Sequence, residues 1–487
     1  MRLSELIRGV GIRRLHGEAD IHGISTDSRS VKEGDLFFAM KGLRHDGNLF
    51  IDDAIRRGAV AVVTERPLDG NRGCAWVEVE DIEDCLACVS SRFYGNPSES
   101  LTLIGITGTN GKTTTSYLVR EIFEEDGRAT GLIGTVRYMI KDRVIRSGLT
   151  TPLAVQFQAL LAEMVKEGVE VAIAEVSSHG LSLKRVDYCS FNAALFTNLS
   201  RDHLDYHHDM EGYFSAKKRL FIDLKPGVSV VNSDDPYGRR LYNELRKSSC
   251  RVVTYGLKGK ADFRAVKIIQ KEHETELEVV APEANMRITS PLIGMVNVYN
   301  ILAAVALTRS LGVGWHQIVR AISRFRGVEG RLETVWTDRG FLAVIDYAHT
   351  PDALRKVLET LRGICRGRLI TVFGCGGDRD RGKRPEMGAI ATEMSDLVVI
   401  TSDNPRTEPP ELIIEDIKKG IKKDNYRVEP DRREAIFRAV GMADRGDLLL
   451  IAGKGHEDYQ EIRGVRYRFN DREVLLEALK TLKGAGI

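Results

Sequence analysis

Short apolar runs bounded by glycine or polar residues recur along most of the chain, and their spacing predicts an α/β protein. Runs at 36–39, 59–63 and 75–79 lie among helical stretches in the first hundred residues, which close on the turn-rich Tyr94-Gly-Asn-Pro-Ser98. From 101 the pattern changes to strand, Gly-rich turn and helix. A β-rich run at 101–106 leads into Gly108-Thr-Asn-Gly-Lys-Thr113 and then an amphipathic stretch to about 126. Apolar runs at 169–175, 193–197 and 228–231 predict buried parallel strands with polar exits. Residues 262–293 instead alternate apolar and charged positions, as in Glu276-Leu-Glu-Val-Val280, which suits antiparallel strands with one wet face. Helical periods at 298–311 and 315–325 precede Gly327 and Gly330. A further αβ block begins near 332, with strands at 341–345, 369–373, 397–400 and 448–451. Alternation at this pace means a parallel sheet covered on both faces. The chain therefore divides into blocks 1–97, 98–331 and 332–487.

Composition narrows the class. At 487 residues the chain exceeds what one hydrophobic core supports. With 71 Lys+Arg against 69 Asp+Glu, the net charge of +2 exerts no general pull toward nucleic acid or anionic membrane. The start carries Arg8, Arg13, Arg14 and His16 without an apolar stretch, and no apolar run reaches the ~20 residues that a bilayer requires. Seven cysteines, an odd number, do not make a disulfide framework. Cys85 and Cys88 flank Leu86 and Ala87 on an apolar helix face, with no second pair at zinc spacing. A soluble cytoplasmic protein is expected.

Ligands of open parallel sheets bind beyond the carboxyl ends of the strands, so the strand exits carry the candidate chemistry. In Thr107-Gly-Thr-Asn-Gly-Lys-Thr-Thr114, Gly108 and Gly111 let backbone N–H groups approach phosphate oxygens, and the helix N-terminus favours negative charge. Lys112 would neutralise β/γ-phosphates and Thr113 would offer a hydroxyl to Mg²⁺. Ile106 stands where the general phosphate loop has its first glycine, so this is a shorter Gly-Thr-x-Gly-Lys-Thr loop. No Asn-Lys-x-Asp guanine reader accompanies it. Glu175 at a strand exit suits a magnesium ligand or a solvated carboxylate. Asp202-His203 suits a cap or a ligand, Lys217-Lys218 a basic helix face, Asn297 a helix cap, and Asp403-Asn-Pro-Arg406 a turn after a strand.

The short loop, Glu175-Val-Ser-Ser-His-Gly-Leu181, Thr197-Asn-Leu-Ser-Arg-Asp-His-Leu-Asp205 and Tyr213-Phe-Ser-Ala-Lys217 follow one another in an order that resembles the Mur ligases and the related folylpolyglutamate synthases. Asn297-Val-Tyr-Asn300, Gly330-Arg-Leu-Glu333 and Asp346-Tyr-Ala-His-Thr-Pro351 continue the likeness. So do Asp403-Asn-Pro-Arg406 and Gly453-Lys-Gly-His-Glu457, and it covers nearly the whole chain. The resemblance implies a small α/β UDP-binding domain, a central P-loop ATPase domain with an antiparallel subsheet, and a C-terminal Rossmann-like domain. ATP would contact Gly108, Thr109, Asn110, Gly111, Lys112, Thr113, Thr114 and Asn300, with Arg331 and Asp346 brought in as the third domain closes. Two Mg²⁺ ions would use Thr113, Glu175, His203 and a carbamylated Lys217, with Asp202 nearby and Lys218 left as a surface charge. Lys112, Glu175, His203 and Lys217 would carry catalysis.

The resemblance also implies the substrates. Thr26, Ser28, Arg44 and His45 would hold the uridine nucleotide, following Ser25-Thr-Asp-Ser-Arg29. Thr150, Thr151, Ser177 and Arg185 would hold the muramoyl-dipeptide, and Leu183 departs from the Gln of some relatives. Asp-Asn-Pro-Arg marks the members that add meso-diaminopimelate, whose extra carboxylate suits a planar guanidinium. Arg379, Asp403, Asn404, Pro405, Arg406, Gly453 and Glu457 would form that pocket. The implied reaction is ATP-dependent ligation of meso-diaminopimelate to UDP-N-acetylmuramoyl-L-alanyl-D-glutamate in peptidoglycan precursor synthesis. It would pass through an acyl phosphate and a tetrahedral intermediate. No Gly-x-Ser-x-Gly elbow points to hydrolysis instead. The alternatives are an L-lysine-adding relative, a folylpolyglutamate synthase, or a silent binding protein of the same fold. A monomer is expected.

Overall fold

The computed structural model describes residues 1–42, 45–68, 72–247, 250–271 and 273–484. Three large sheets follow one another along the chain. The first has five strands, ordered Ile12–His16, Ala75–Val79, Ala61–Thr64, Asp35–Phe38 and Gly23–Ser25. Only the outermost pair, Ile12–His16 with Ala75–Val79, is antiparallel. Ile12–His16 is exposed throughout and reads Ile-Arg-Arg-Leu-His, so no apolar run announced it.

The second sheet has eleven strands. Its centre is parallel: Arg251–Gly256, Val228–Asn232, Ala193–Phe196, Thr102–Thr107, Val171–Glu175 and Thr130–Ile133. Antiparallel pairs extend both ends, although Phe263–Gln270 itself joins Arg251–Gly256 in parallel. Phe263–Gln270, Thr275–Val280 and Asn285–Ser290 form the alternating segment expected from the pattern. The strands Arg137–Ile140 and Arg143–Arg146, at the opposite edge, were not visible in the pattern because the second is nearly all exposed and basic at both ends. Thr102–Thr107 lies between strands that come later in the chain, Val171–Glu175 and Ala193–Phe196. A crevice therefore opens at its carboxyl end, where ligands of such sheets bind. The helix Met295–Ser310 is apolar nearly all round and buried against Lys112–Glu125, which fixes the helix behind that crevice.

Helix Met295–Ser310 begins two residues before Asn297 and is capped by Gly294. Asn297 is thus inside the first turn and not the cap that its sequence context allowed; its side chain instead donates to the Ile293 carbonyl at 2.9 Å.

The third sheet runs Glu333–Trp336, Leu342–Asp346, Leu448–Ala452, Leu369–Phe373, Leu397–Ile400 and Tyr426–Val428. All pairs are parallel except the first. Helices Pro351–Arg362, Lys383–Met394 and Pro410–Lys418 cover one face and Arg432–Met442 with Asp471–Gly484 the other. The all-parallel expectation is corrected at Glu333–Trp336, an edge strand too polar to stand out. Cys85 and Cys88 are buried in the apolar helix Ile82–Phe93, where burial pushes both thiols up. Among the described residues no helix is long and apolar enough to cross a membrane.

Candidate active site

The turn after Thr102–Thr107 is shaped by two glycines with positive φ, Gly108 at 144° and Gly111 at 85°. A Cβ on Gly108 would collide with the Thr197 hydroxyl, and one on Gly111 with the Asn300 amide. The neighbouring strand exit holds the loop closed. Thr197 Oγ1 donates to the Asn110 carbonyl at 2.7 Å, Asn198 Oδ1 accepts from Asn110 N at 3.0 Å, and Thr109 N donates to the Asn198 carbonyl at 2.8 Å. Gly108→Ala should therefore cost at least about 2 kcal/mol from strain and overlap together. Denaturant unfolding with and without nucleotide measures this; a variant with native stability and nucleotide affinity would contradict it.

Behind the loop, the carboxylate of Glu175 is fully buried. Its oxygens accept from Thr113 Oγ1 at 2.9 Å, Thr135 Oγ1 at 2.9 Å and Thr135 N at 3.1 Å. Lys112 Nζ donates to the carbonyls of Gly108 and Thr109 at 2.9 and 2.8 Å. Burial lowers its ammonium, against the pull of Glu175 and Asp202. Lys217, on helix Met210–Ile222, is 1% exposed. Its Nζ donates to the Gly108 carbonyl at 2.9 Å and sits 4.7 Å from the centre of the Tyr213 ring. Burial holds Lys217 well below the ordinary lysine range and the charge on Lys112 adds to this. Lys112 and Lys217 thus meet at the Gly108 carbonyl, while Thr113 and Glu175 form a neighbouring pair whose charge acts on Lys112. Lys218, expected as a plain surface charge, is half-buried and paired with Glu244 at 2.9 Å.

Among the described residues no three His, Cys, Asp or Glu side chains gather as a metal cage. The hydroxyl of Thr113 and carboxylate of Glu175 nevertheless form the hard-oxygen pair that suits Mg²⁺, which keeps several waters and needs few protein ligands. His203 is in the left-handed region, with φ 52°. Its Nε2 lies 3.5 Å from Asp202 Oδ2, and its ring packs edge-on to His179 with centroids 4.9 Å apart. Burial lowers its imidazole, opposed by Asp202 and reinforced by Lys112 and Lys217.

A small pocket of about 80 Å³ at the loop is lined by Asn110, Lys112, Thr113, Thr135 and Arg331. Arg331 arrives from the connection into the third sheet, its guanidinium 4.7 Å from the centre of the Tyr347 ring. Its buried Nε has no hydrogen-bond partner among the described residues. Asp346 anchors this connection by accepting from Leu332 N at 2.7 Å and Ala348 N at 2.8 Å. Burial raises its carboxyl and Arg331 opposes the rise. Asn300 approaches from helix Met295–Ser310, donating to Asn297 Oδ1 at 3.0 Å, and Thr114 is buried in the first turn after the loop.

Next to Glu175, Thr151 Oγ1 accepts from Ser177 N at 2.9 Å and donates to the Glu175 carbonyl at 2.9 Å. Ser177 caps the short helix Ser178–Ser182, Arg185 Nη1 donates to the Thr151 carbonyl at 2.8 Å, and Thr150 meets Thr135 at 3.1 Å. The structure brings these four residues together beside the carboxylate. Ser28 and Thr26 lie on a separate turn of the first sheet, where Asp27 caps Ser28–Ser30 and is held down to about 2 chiefly by Arg29. His45 is exposed, with its ring edge-on to Phe50, and Arg44 lies outside the described residues.

A cleft of about 1410 Å³ is lined from the central sheet by Asp202 and His203 and from the third by Arg379, Arg406, Gly453 and Glu457. Asp403 and Asn404 are buried at its wall, and Pro405, which does not line it, is buried beside them. Asn404 Nδ2 donates to Glu457 Oε2 at 2.8 Å. Arg406, at φ 53°, donates through Nη1 to the Gly377 carbonyl at 2.6 Å. Arg379 is exposed on the neighbouring loop.

Several contributors escaped the pattern. Thr135 follows a strand exit without any motif, and Asn198 was visible only as part of Thr197-Asn-Leu-Ser-Arg-Asp-His. Asp352 opens helix Pro351–Arg362 and accepts from Ser200 Oγ at 2.7 Å and Lys356 Nζ at 2.8 Å, while Asn110 Nδ2 lies 3.4 Å away. That contact joins the third sheet to the loop's rim and has no local signal in either segment.

Three family descriptions match this chain in order. They are "Mur ligase family, catalytic domain" over residues 20–94, "Mur ligase middle domain" over 106–308, and "Mur ligase, glutamate ligase domain" over 330–455. A UDP-N-acetylmuramoyl-L-alanyl-D-glutamate–2,6-diaminopimelate ligase of Aquifex aeolicus is 46% identical over 460 residues, covering 94% of each chain. The chain belongs to the Mur ligase family. The enzyme of the same name from Caldanaerobacter subterraneus is 44% identical to this Mur ligase over 98% of its length and 99% of the relative's. A solved structure of a UDP-N-acetylmuramoyl-L-alanyl-D-glutamate–2,6-diaminopimelate ligase superposes with a TM-score of 0.70 at 36% identity, covering 95% of both chains. A ligase of this family from Thermotoga maritima, solved in complex with ADP, shares the fold with a TM-score of 0.65 at 22% identity.

Proposed function

We propose that this Mur ligase joins meso-diaminopimelate to UDP-N-acetylmuramoyl-L-alanyl-D-glutamate at the expense of ATP, with working parts divided near residues 97 and 331. One observation carries the reading. A single cleft is lined by Asp202 and His203 of the central sheet and by Arg379, Arg406 and Glu457 of the third, so that an amino acid held by the latter would face the Asp202–His203 segment of the central sheet.

The backbone of the loop and Lys112 bind the triphosphate, and Arg331 adds a second cation from the far side of the small pocket. A carboxylate oxygen of the UDP-linked substrate attacks the γ-phosphorus and the bond to ADP breaks, leaving an acyl phosphate. The neutral amine of the amino acid then attacks the acyl carbon, phosphate departs, and the amine proton is lost. Thr151, Ser177 and Arg185 orient the acceptor beside Glu175, and Lys112 offsets the charge of the tetrahedral oxyanion. Thr113 and Glu175 would hold one Mg²⁺, with His203 and Lys217 completing a second; such ions supply charge neutralisation between two anionic reactants. The amine of Lys217, whose protonation burial opposes, would add to CO₂ and release a proton, leaving a carbamate with carboxylate-like oxygens.

The expected result is ATP-dependent incorporation of meso-diaminopimelate into the UDP-linked acceptor, with ADP and phosphate released and L-lysine used poorly. Equal use of L-lysine would reject the diaminopimelate reading. Incorporation into a folate acceptor alone would reject the UDP-linked one.

A further inference from the structure

We propose that Lys454 is a positioning residue for amino-acid recognition: its buried ammonium orients the Asn404 amide and gathers the Asp403 and Glu457 carboxylates on the cleft wall that receives the amino acid. The inference rests on the reading of that cleft as the diaminopimelate pocket. Lys454 lies between Gly453, at φ 119°, and Gly455, at φ 52°, in the turn after strand Leu448–Ala452. A Cβ on Gly455 would lie 2.7 Å from the Gly330 carbonyl oxygen, so the turn is pressed against the inter-sheet connection and its lysine is directed inward. The Lys454 side chain has no exposed surface, whereas Asp403, Asn404 and Glu457 line the cleft in front of it.

The ammonium is placed to act through these neighbours. It donates to Asn404 Oδ1 at 2.8 Å and to the Tyr459 carbonyl at 2.7 Å. It also lies 3.4 Å from Asp403 Oδ1 and 3.5 Å from Glu457 Oε2. Asn404 Oδ1 accepts in addition from Glu461 N at 2.9 Å, so the amide cannot turn over without leaving two donors unmet, and its Nδ2 is committed to Glu457. Two carboxylates and one lysine carry a net charge of −1 when all are ionised, which one substrate ammonium neutralises. Without the lysine, the carboxylate pair would carry −2 in a buried wall, and Glu457 would lose the cation that opposes its protonation.

Glu457 is the group on which this is read. It faces Lys454 on its own turn, Asp403 and Asn404 from the loop after Leu397–Ile400, Tyr347 from the loop after Leu342–Asp346, Arg432 from the helix Arg432–Met442 and Tyr459 from the antiparallel pair Tyr459–Ile462 and Val465–Arg468. Burial raises its carboxyl, Lys454 opposes the rise and Asp403 reinforces it. Removing Lys454 raises it further, and an ammonium-binding carboxylate is then lost at a higher pH as acidity increases.

The test compares K454M and K454Q with the wild type in steady-state assays on UDP-N-acetylmuramoyl-L-alanyl-D-glutamate, ATP and meso-diaminopimelate. For K454M the KM for diaminopimelate should rise about tenfold with the KM for ATP unchanged, and the acid limb of kcat/KM for diaminopimelate should move up by about one pH unit. K454Q can still hydrogen-bond Asn404 and Tyr459 but lacks the charge. It should show the same displacement of the acid limb with a smaller rise in KM, and it serves alone if K454M does not fold. A wild-type acid limb in K454Q overturns the role of Lys454 while leaving the function intact. A wild type inactive on diaminopimelate overturns the functional reading and this inference with it.

Discussion

Replacing Lys217 with alanine should lower turnover by about three orders of magnitude while leaving nucleotide affinity within a few-fold of the wild type. Lys217 has no room to act as an ordinary surface cation. It is buried beneath the phosphate loop, donates to the Gly108 carbonyl and stands against the Tyr213 ring, with burial and then Lys112 opposing its protonation. A neutral amine in that position is a nucleophile for CO₂, and a carbamate there would turn a site shared by two lysines into one that attracts a divalent cation. Two measurements separate this from a packing role. Short-chain carboxylic acids should restore part of the activity of Lys217→Ala by supplying the missing oxygens, and wild-type enzyme with ¹³C-bicarbonate should show a carbamate carbon resonance absent from the variant. Full activity after exhaustive removal of CO₂, with no such resonance, would refute the carbamate.

The second large effect is expected at Arg406. Its backbone, in the left-handed region, is pinned by Arg406 N donating to the Glu461 carbonyl at 2.9 Å and Arg463 N donating to the Arg406 carbonyl at 2.6 Å. One guanidinium nitrogen is engaged by the Gly377 carbonyl, while the side chain still lines the cleft. Arg406→Lys keeps the charge but loses the planar fork that grips a carboxylate through two parallel bonds. The expected outcome is a fall of about 100-fold in kcat/KM for meso-diaminopimelate, carried mainly by KM. The small activity with L-lysine, which lacks that carboxylate, should not change. If the variant retains wild-type kcat/KM for diaminopimelate, Arg406 does not bind the distal carboxylate.

How much of the site was legible depended on how local its parts are. The phosphate loop was readable because its strand, two glycines, lysine and helix are contiguous, and the φ values of Gly108 and Gly111 are local demands. The buried strands at 193–197, 228–231 and 369–373 were readable from mostly apolar, charge-free runs, since a central parallel strand is covered on both sides. The edge strands Ile12–His16, Arg143–Arg146 and Glu333–Trp336 were not, because an edge strand with a wet face keeps charges along its length. Thr135 escaped for another reason. A threonine after a strand is unremarkable until its hydroxyl and amide are both seen on Glu175.

Lys217 and Lys454 show the limit most clearly. In the chain, one is half of a Lys-Lys pair that local pattern reads as a basic helix face and only the family resemblance marks out, and the other is a lysine between glycines to which pattern assigns no role. The sequence by itself determined the alternation of strands and helices, the phosphate loop, and, through ordered motifs, the family to which the chain belongs. Only the tertiary structure decided which cations are desolvated, that Arg331 reaches a loop more than two hundred positions earlier, and that Arg406 and Glu457 share a cleft with His203. Backbone conformation and apolar periodicity act over a few neighbouring residues. Desolvation and charge pairing depend on what packs around a side chain, and those neighbours come from distant parts of the chain.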